Sequence, residues 1–266
     1  MSSVLFLFLT HLGIGIAGTL LLVGAAAGAK FFRFNAGLAV VFLLIAIAFR
    51  PTPPVSGALE SVGFAALLIA TATLLVYWAS IGRALSKMRP YFLWTAVLGG
   101  AVSLVVEGIA LSVGEMAPSP ALTAVSFLTS SALLGGACTA MILGHWYLIL
   151  PSMDVALLQS IVRFHIASTV ARVVVVGLVL SVALATWQAP SGAGYGQYMF
   201  SLDGVFLWQR LLFGLASPAV LSYLTWETAK IRSTQSATGI LYVDFFTVVV
   251  GEVLAKYLLL STRVPV

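Results

Sequence analysis

The sequence predicts an all-α integral membrane protein, folded as a single helical domain over residues 1–266. Apolar residues make up 61% of the 266 residues, and only 8% are charged. The mean hydropathy is +1.11, which places the composition outside that of soluble globular domains. Apolar runs of about 20 residues, the length that spans a bilayer, recur along the whole chain. We therefore expect the lipid bilayer to surround the chain, and we expect no soluble domain.

We predict about eight transmembrane helices in one bundle. They are separated by segments that cannot continue a helix, such as 50–54, which contains three prolines. Pro218, inside the seventh span, is expected to kink that helix or to free a carbonyl group. The second span is short, and the sixth is long enough to tilt or to extend beyond the bilayer. The predicted spans are residues 4–28, 35–49, 60–81, 91–113, 121–149, 155–187, 204–228 and 236–261.

Loop charges predict the orientation of the bundle. Basic residues concentrate in the loops after spans one, three and seven, and they are sparse on the other side. Because Lys and Arg are in excess on the cytoplasmic side, both termini are expected outside a bacterial-type cytoplasmic membrane. The net charge of +5 then reflects basic residues in the cytoplasmic loops. We therefore expect no nucleic-acid partner. The inner set is Lys30, Arg33, Arg83, Lys87, Arg89, Lys230 and Arg232; the outer set is Arg50 and Arg263.

The N-terminal segment does not resemble a signal peptide. Residues 1–8 contain no Lys or Arg, whereas a signal peptide begins with a positively charged region. We therefore treat this segment as the first span.

Many ionisable residues lie inside the apolar runs. Such a group costs about 2.5–3.5 kcal/mol or more in hydrocarbon, unless it is paired or hydrated. Counting roughly 1.5 Å per residue from the span ends places five of them at similar depth, on five different spans. Their convergence indicates a quinone or proton site in the outer half of the bilayer. The alternative is that polar side chains only hold the helices together. We call this set the outer layer: His11, Glu107, Arg172, Arg210 and Glu252.

A second set, the inner layer, is placed nearer the cytoplasm. The depth estimate from the inner end is roughly 7 Å for His145 and roughly 15 Å for His165. Trp and Tyr beside His145 favour either an interfacial aromatic anchor or a contact to a quinone headgroup. The inner-layer candidates are His145, Trp146, Tyr147, Arg163, His165 and Asp244.

Two ion pairs are predicted from spacing and depth. Glu252 and Lys256 are four residues apart, so they can pair on one helix. Glu107 and Arg172 have the same estimated depth, so we expect them to pair between helices.

Quinone is the expected cofactor, and haem b is the less favoured alternative. The candidate haem ligands are His11, His145 and His165, of which the first and third have the closest depths. Three histidines cannot supply two bis-histidine sites. No other metal site is expected, because carboxylates and histidines do not cluster at i,i+3 or i,i+4 on any span. The single Cys138 excludes a disulfide or a cysteine-ligated cluster within the chain.

No catalytic motif identifies an enzyme class, since a P-loop, a nucleophile elbow, HExxH and CxxC are all lacking. The leading interpretation is a membrane subunit of a respiratory-type electron-transfer complex that contacts quinol or quinone and supports proton transfer. Its short loops imply that the redox centres belong to partner subunits, such as cytochromes or iron–sulfur proteins. The rival classes are a secondary transporter for a small solute or ion and a purely structural membrane subunit. A transporter commonly has interrupted helices in corresponding halves, and none is evident.

Cysteine labelling tests the predicted orientation. Ser86→Cys should react with a membrane-impermeant thiol reagent only from the cytoplasm, because it lies among inner-loop basic residues. Ser56→Cys and Ser119→Cys should react only from outside. The reverse pattern would contradict the assignment.

Overall fold

The computed structural model is helical throughout, over the residues that it describes: 1–51, 57–83, 87–112, 119–150, 153–185 and 195–266. A helix satisfies its backbone hydrogen bonds within its own segment, which is the condition for crossing hydrocarbon. The helices are α1 (Ser2–Thr19), α2 (Gly28–Ala48), α3 (Ala58–Ser80), α4 (Arg89–Ala110), α5 (Pro120–Ile149), α6 (Ala156–Ala185), α7 (Tyr195–Met199), α8 (Leu202–Leu211), α9 (Ser217–Lys230) and α10 (Thr234–Thr262), with a π-helical segment, Leu212–Ala216, between α8 and α9.

Within the described ranges, seven helical segments are long and apolar enough to cross a membrane. The chain is therefore an α-helical integral membrane protein, as predicted. The eighth predicted span corresponds to α10, which is 29 residues long and carries three buried ionisable residues. The number of eight spans and the outside position of both termini remain predictions. The seven segments are α1 to α6, with α2 counted from Ala25, and the continuous stretch Leu202–Lys230.

The predicted boundary between the first two spans is wrong. The first helix ends at Thr19 instead of continuing to residue 28, and the second begins at Gly28 instead of residue 35. Gly28 has a φ of +84°, a conformation that glycine adopts without a steric penalty, and it lets the chain turn between the helices. The apolar residues of the turn resemble helix interior in sequence, which explains the error. The second span is consequently 21 residues long rather than short.

The other predicted breaks fall largely outside the described residues. The structure does not describe residues 52–56, 84–86, 113–118, 151–152 and 186–194. The labelling positions Ser56 and Ser86 lie in these ranges. Ser119 is described, and it precedes α5 directly.

The bundle consists of two groups of helices that share α5. The five-helix group contains α1 to α5, in which α1 packs against α2, α4 and α5, and α3 packs against α2 and α4. The four-helix group contains α5, α6, the α8–α9 stretch and α10, in which α5 and α9 each pack against both α6 and α10. The central position of α1 and α5 shows in their burial: 72% of each spanning window is buried, against 33–39% for the other five.

Small residues on α5 permit close helix contacts within the bundle. A Cβ on Gly135 would lie 2.2 Å from the backbone of Gly15 on α1. Gly136 faces His165 on α6, and Gly144 faces Thr238 on α10. Close approach through small residues is a common mode of membrane helix packing. Three faces of α5 thus contact three different helices.

Replacing Gly15 by Ala should destabilise the bundle, because the added Cβ would lie 2.0 Å from the carbonyl oxygen of Ser131. Overpacking of this kind typically costs about 1–3 kcal/mol. Gly18→Ala is the matched control on the same helix, since its Cβ meets no atom within 4 Å. Thermal unfolding of the purified protein in detergent should show a lower midpoint temperature for Gly15→Ala than for wild type. The midpoint temperature of Gly18→Ala should equal that of wild type. Equal midpoints would contradict the α1–α5 contact.

Candidate functional site

The polar centre of the four-helix group is the carboxylate of Glu252 on α10. Its Oε1 accepts hydrogen bonds from Arg172 Nε at 3.0 Å and from Arg210 Nη2 at 2.8 Å. Its Oε2 lies 3.4 Å from the Lys256 ammonium and accepts a 2.5 Å hydrogen bond from Ser130 Oγ. None of the four charged side chains is more than 2% exposed. We call these five residues the Glu252 cluster.

Arg172 connects three parts of the bundle. On α5, the side-chain and carbonyl oxygens of Ser126 accept from its Nη1 at 2.7 and 3.1 Å. The carbonyl oxygen of Val266 accepts from its Nη2 at 2.9 Å. Ser126 Oγ in turn donates to the carbonyl of Pro265 at 2.8 Å. The segment after α10 therefore folds back onto the cluster and is held there by polar contacts.

The irregular stretch between α8 and α9 positions Arg210. Pro218 has no amide hydrogen to offer the carbonyl of Gly214, four residues earlier. That carbonyl instead accepts a 2.9 Å hydrogen bond from Arg210 Nη1. The same turn packs tightly on α10, where a Cβ on Gly214 would lie 2.6 Å from Gly251 Cα. The prediction that Pro218 frees a carbonyl is confirmed, and the freed carbonyl of Gly214 accepts a hydrogen bond from a cluster residue, Arg210.

The side chains of the Glu252 cluster do not balance in charge. Three cations surround one carboxylate, which leaves two surplus positive charges, or one if Lys256 is neutral. An Arg Nε that is buried normally has an acceptor, yet Arg210 Nε has none among the described residues. Counted by side chains alone, the cluster therefore carries surplus positive charge, and it has a donor still available.

His11 lies beside this cluster on α1. Its Nδ1 is 2.5 Å from the carbonyl oxygen of Leu7, and its Nε2 has no hydrogen-bond partner in the described part of the chain. The ring contacts Phe127 edge to face, with centroids 4.6 Å apart. The Lys256 ammonium lies 5.3 Å from the centroid of the same Phe127 ring. One aromatic side chain thus separates a buried histidine from the cluster.

Glu107, the fifth member of the predicted outer layer, is not in the cluster. Arg172 pairs with Glu252, so the predicted Arg172–Glu107 pair is wrong. Depth alone does not fix the direction in which a helix presents a side chain, and α4 packs against α1, α3 and α5. The charges that act on Glu107 are those of Arg50 and Glu60. The predicted Glu252–Lys256 pair is confirmed.

The predicted inner layer separates into distinct contacts. His165 Nε2 lies 2.6 Å from Asp244 Oδ2, and both side chains are fully buried between α6 and α10. His145 is exposed, and its Nδ1 is hydrogen-bonded to the Tyr242 hydroxyl at 2.9 Å. Arg163 is also exposed, with its guanidinium 6.0 Å from the centroid of the Trp226 ring. Of this set, only His165 and Asp244 form a buried polar contact.

The aromatic residues of the inner layer pack locally. Trp146 contacts Phe31 and Phe34 on α2, at centroid distances of 5.9 and 6.5 Å. The Tyr147 hydroxyl donates to the carbonyl of Asp154 and links the ends of α5 and α6. These contacts favour the aromatic-anchor interpretation over the quinone-headgroup interpretation.

Each histidine has one ring nitrogen engaged by the protein, with partners Leu7, Tyr242 and Asp244. Within the described ranges, no group of three or more His, Cys, Asp or Glu residues has the arrangement of a metal site. A haem b bound by His11, His145 or His165 remains a prediction.

A narrow apolar cleft opens close to the Glu252 cluster. It is lined by Leu180 of α6, Leu207 of α8, Leu258 of α10 and Val266, among other mainly apolar side chains. Val266 is the residue whose carbonyl accepts from Arg172, so cleft and cluster meet there. An apolar chain lying in the cleft would end within reach of polar groups.

Sequence reasoning missed Ser126, Ser130 and Gly214 as contributors to the site, and it considered Lys256 only as a partner of Glu252. Ser126 and Ser130 are spaced i,i+4 in an otherwise apolar helix. Such spacing places both hydroxyls on one helix face, and it was the available signal.

No family model matches the chain, and no curated protein matches it significantly.

The ion pairing of Arg172 can be measured by two double-mutant cycles in thermal or denaturant unfolding. Arg172→Gln with Glu252→Gln should be non-additive by at least about 1 kcal/mol, as expected for contacting residues. Arg172→Gln with Glu107→Gln should be additive. Glu227→Gln, which removes an exposed pair with Lys230, is a control that should cost at most about 1 kcal/mol. Coupling of Arg172 to Glu107 alone would overturn the assignment.

Proposed function

We propose that the chain is a membrane subunit of an electron-transfer complex, and that the Glu252 cluster binds quinol or quinone and takes part in proton transfer. The membrane would be a bacterial-type cytoplasmic membrane. The observation that carries the proposal is the meeting of a buried, electropositive polar site with an apolar cleft. A quinone has the matching two parts, a polar ring with two oxygens and an apolar tail.

The apolar cleft and the polar cluster correspond in character to these two parts, and the cleft, with about 20 Å³ of free volume, would have to widen around the tail. The tail would lie along Leu180, Leu207 and Leu258, and the ring would lie toward Arg172 and Val266. Arg210 Nε offers an unused donor to a quinone carbonyl. Ligand sites are typically apolar, with a few polar groups that fix orientation.

The proposed reaction is oxidation of a quinol to a quinone, which releases two protons and two electrons. His11 Nε2 is an unused ring nitrogen that would accept one proton from the quinol. The surplus positive charge of the cluster would stabilise an anionic quinol after that proton leaves. The second proton would pass to the Glu252 carboxylate. The electrons would pass to a redox centre on a partner subunit, a cytochrome or an iron–sulfur protein.

The same surplus charge favours a second candidate function, transport of a small anion. Three cations and one carboxylate in the bundle interior attract a negatively charged solute without any redox step. A purely structural subunit is the third alternative, in which the cluster only holds α5, α6, α8 and α10 together.

Purification from native membranes distinguishes these functions. A complex subunit should carry redox partners and extractable quinone, a transporter should purify alone, and a structural subunit should carry partners without quinone. His11→Gln should preserve assembly and slow quinol-dependent electron transfer at least about tenfold, or about 1.4 kcal/mol of barrier.

His145→Gln is the matched control, since it makes the same change at an exposed histidine, and it should leave the rate unaltered. Normal quinol turnover in an assembled His11→Gln complex would remove His11 from the proposed reaction. Absence of quinone from the wild-type complex would refute the proposed function.

A further inference from the structure

The His165–Asp244 pair is separate from the Glu252 cluster and is not used in the proposed quinol reaction. Both side chains are fully buried, and Nε2 and Oδ2 are 2.6 Å apart. The pair joins α6 to α10 across the four-helix group. An imidazole and a carboxylate that share one proton carry no net charge, and this is the state that an apolar interior favours.

The far atoms of the pair are both unused. None of the four polar atoms of the pair, Nδ1 and Nε2 of His165 and Oδ1 and Oδ2 of Asp244, has an aligned hydrogen bond among the residues that the structure describes. The 2.6 Å approach of Nε2 to Oδ2 is therefore a close ionic contact. A pair that only linked two helices would be more stable with these atoms satisfied, because an unpaired buried polar atom costs free energy. Two free polar atoms on either side of one short contact are, however, what a proton needs in order to enter and leave.

The pair lies directly inward of the Glu252 cluster on the same two helices. Arg172 follows His165 by seven residues on α6, and Glu252 follows Asp244 by eight residues on α10. At about 1.5 Å per residue, the two ionic contacts are roughly 10–12 Å apart along the bundle. Both ionic contacts join α6 to α10, so they lie one after the other along the interior of the four-helix group.

Hydroxyl groups on α9 lie level with the pair and on its inner side. Gln159 of α6 donates to the carbonyl of Ala229 on α9 at 3.3 Å, and this contact fixes the register of the two helices. Arg163 above Trp226 shows that they run antiparallel. Counting six residues along each helix from this contact brings Tyr223 level with His165, and Ser222 is the next residue of α9. Thr225 then lies roughly one turn further inward.

These hydroxyls face the interior of the bundle. Ser222 and Thr225 are at most 1% exposed, although other residues of α9 are exposed to the surroundings. On α5, Gly136 lies against the pair, where a Cβ would be 3.3 Å from His165 Nδ1. On α6, Arg163 is two residues from His165 but is exposed, and Arg172 lies about two turns away in the other direction.

From this arrangement we propose that the His165–Asp244 pair is a proton-exchange site, which passes protons between the inner side of the membrane and the Glu252 cluster. A proton binds at Asp244 Oδ1, the proton between Oδ2 and Nε2 moves onto the ring across the 2.6 Å contact, and the hydrogen on His165 Nδ1 leaves. One proton enters and one leaves, so the pair regains its neutral state. The inference rests on the proposed function, because that reaction supplies the need for protons to move.

Solid-state NMR of the complete chain, labelled with ¹⁵N-histidine and reconstituted in lipid bilayers, tests the proposal. The His165 signals are assigned by their loss in His165→Gln. The ring proton of His165 should exchange with ²H₂O while the protein stays folded. Thr225→Val, which replaces a buried hydroxyl by a methyl group of the same size, should slow this exchange at least tenfold.

Thr228→Val is the matched control, since it makes the same change one turn away at a less buried position, and it should leave the exchange rate unaltered. Ser222→Ala provides a second interior variant if Thr225→Val does not fold. A His165 ring proton that stays protected for hours would overturn the proposal, as would equal exchange in wild type and both interior variants.

A quinol assay on the same samples separates the two proposals. Rapid, Thr225-dependent exchange in a protein that binds no quinone would reject the proposed function and retain the proton-exchange site. Normal quinol turnover with a protected His165 proton would reject the proton-exchange site alone.

Discussion

The carboxylate of Glu252 is the group on which the four-helix arrangement depends. It holds Arg172, Arg210 and Lys256, which come from three helices and would otherwise be unpaired cations in an apolar interior. Removing one partner from a buried ionic contact costs about 3–5 kcal/mol, because the remaining charge is left uncompensated. The positions of α6, α8 and α10 around α5 are therefore coupled through one side chain, and the freed carbonyl of Gly214 and the hydroxyl of Ser130 complete that coupling.

The shared helix α5 allows a packed scaffold and a polar site to coexist. Gly135 lets α1 approach closely on one side, while Ser126 and Ser130 face the charges of the four-helix group. Phe127, between those serines in sequence, contacts both His11 and Lys256. A single helix thus presents small residues where backbones meet and hydroxyls where charges need partners, and it connects the histidine of α1 to the cluster.

The sequence predicted the class of fold well, and it predicted the site in part. Hydropathy and helix-breaking residues locate most spans, because membrane helices must be long and apolar. They failed at Gly28, where an apolar turn resembles helix interior. Depth counting grouped Arg172, Arg210 and Glu252 correctly, since rise per residue is nearly constant. It grouped Glu107 with them wrongly, because rise gives no information about the direction a side chain faces or about which helices are neighbours.

The most direct test of the central claim is an isotope-edited infrared difference spectrum of the purified protein in lipid bilayers, recorded on adding a soluble quinone analogue. Glutamate would be ¹³C-labelled, and the Glu252 band would be identified by its absence in Glu252→Gln. The account predicts an ionised Glu252 carboxylate whose band shifts when the quinone binds beside Arg172 and Arg210. A Glu252 band that is unaltered by the quinone, or that is already that of a protonated acid, would contradict it.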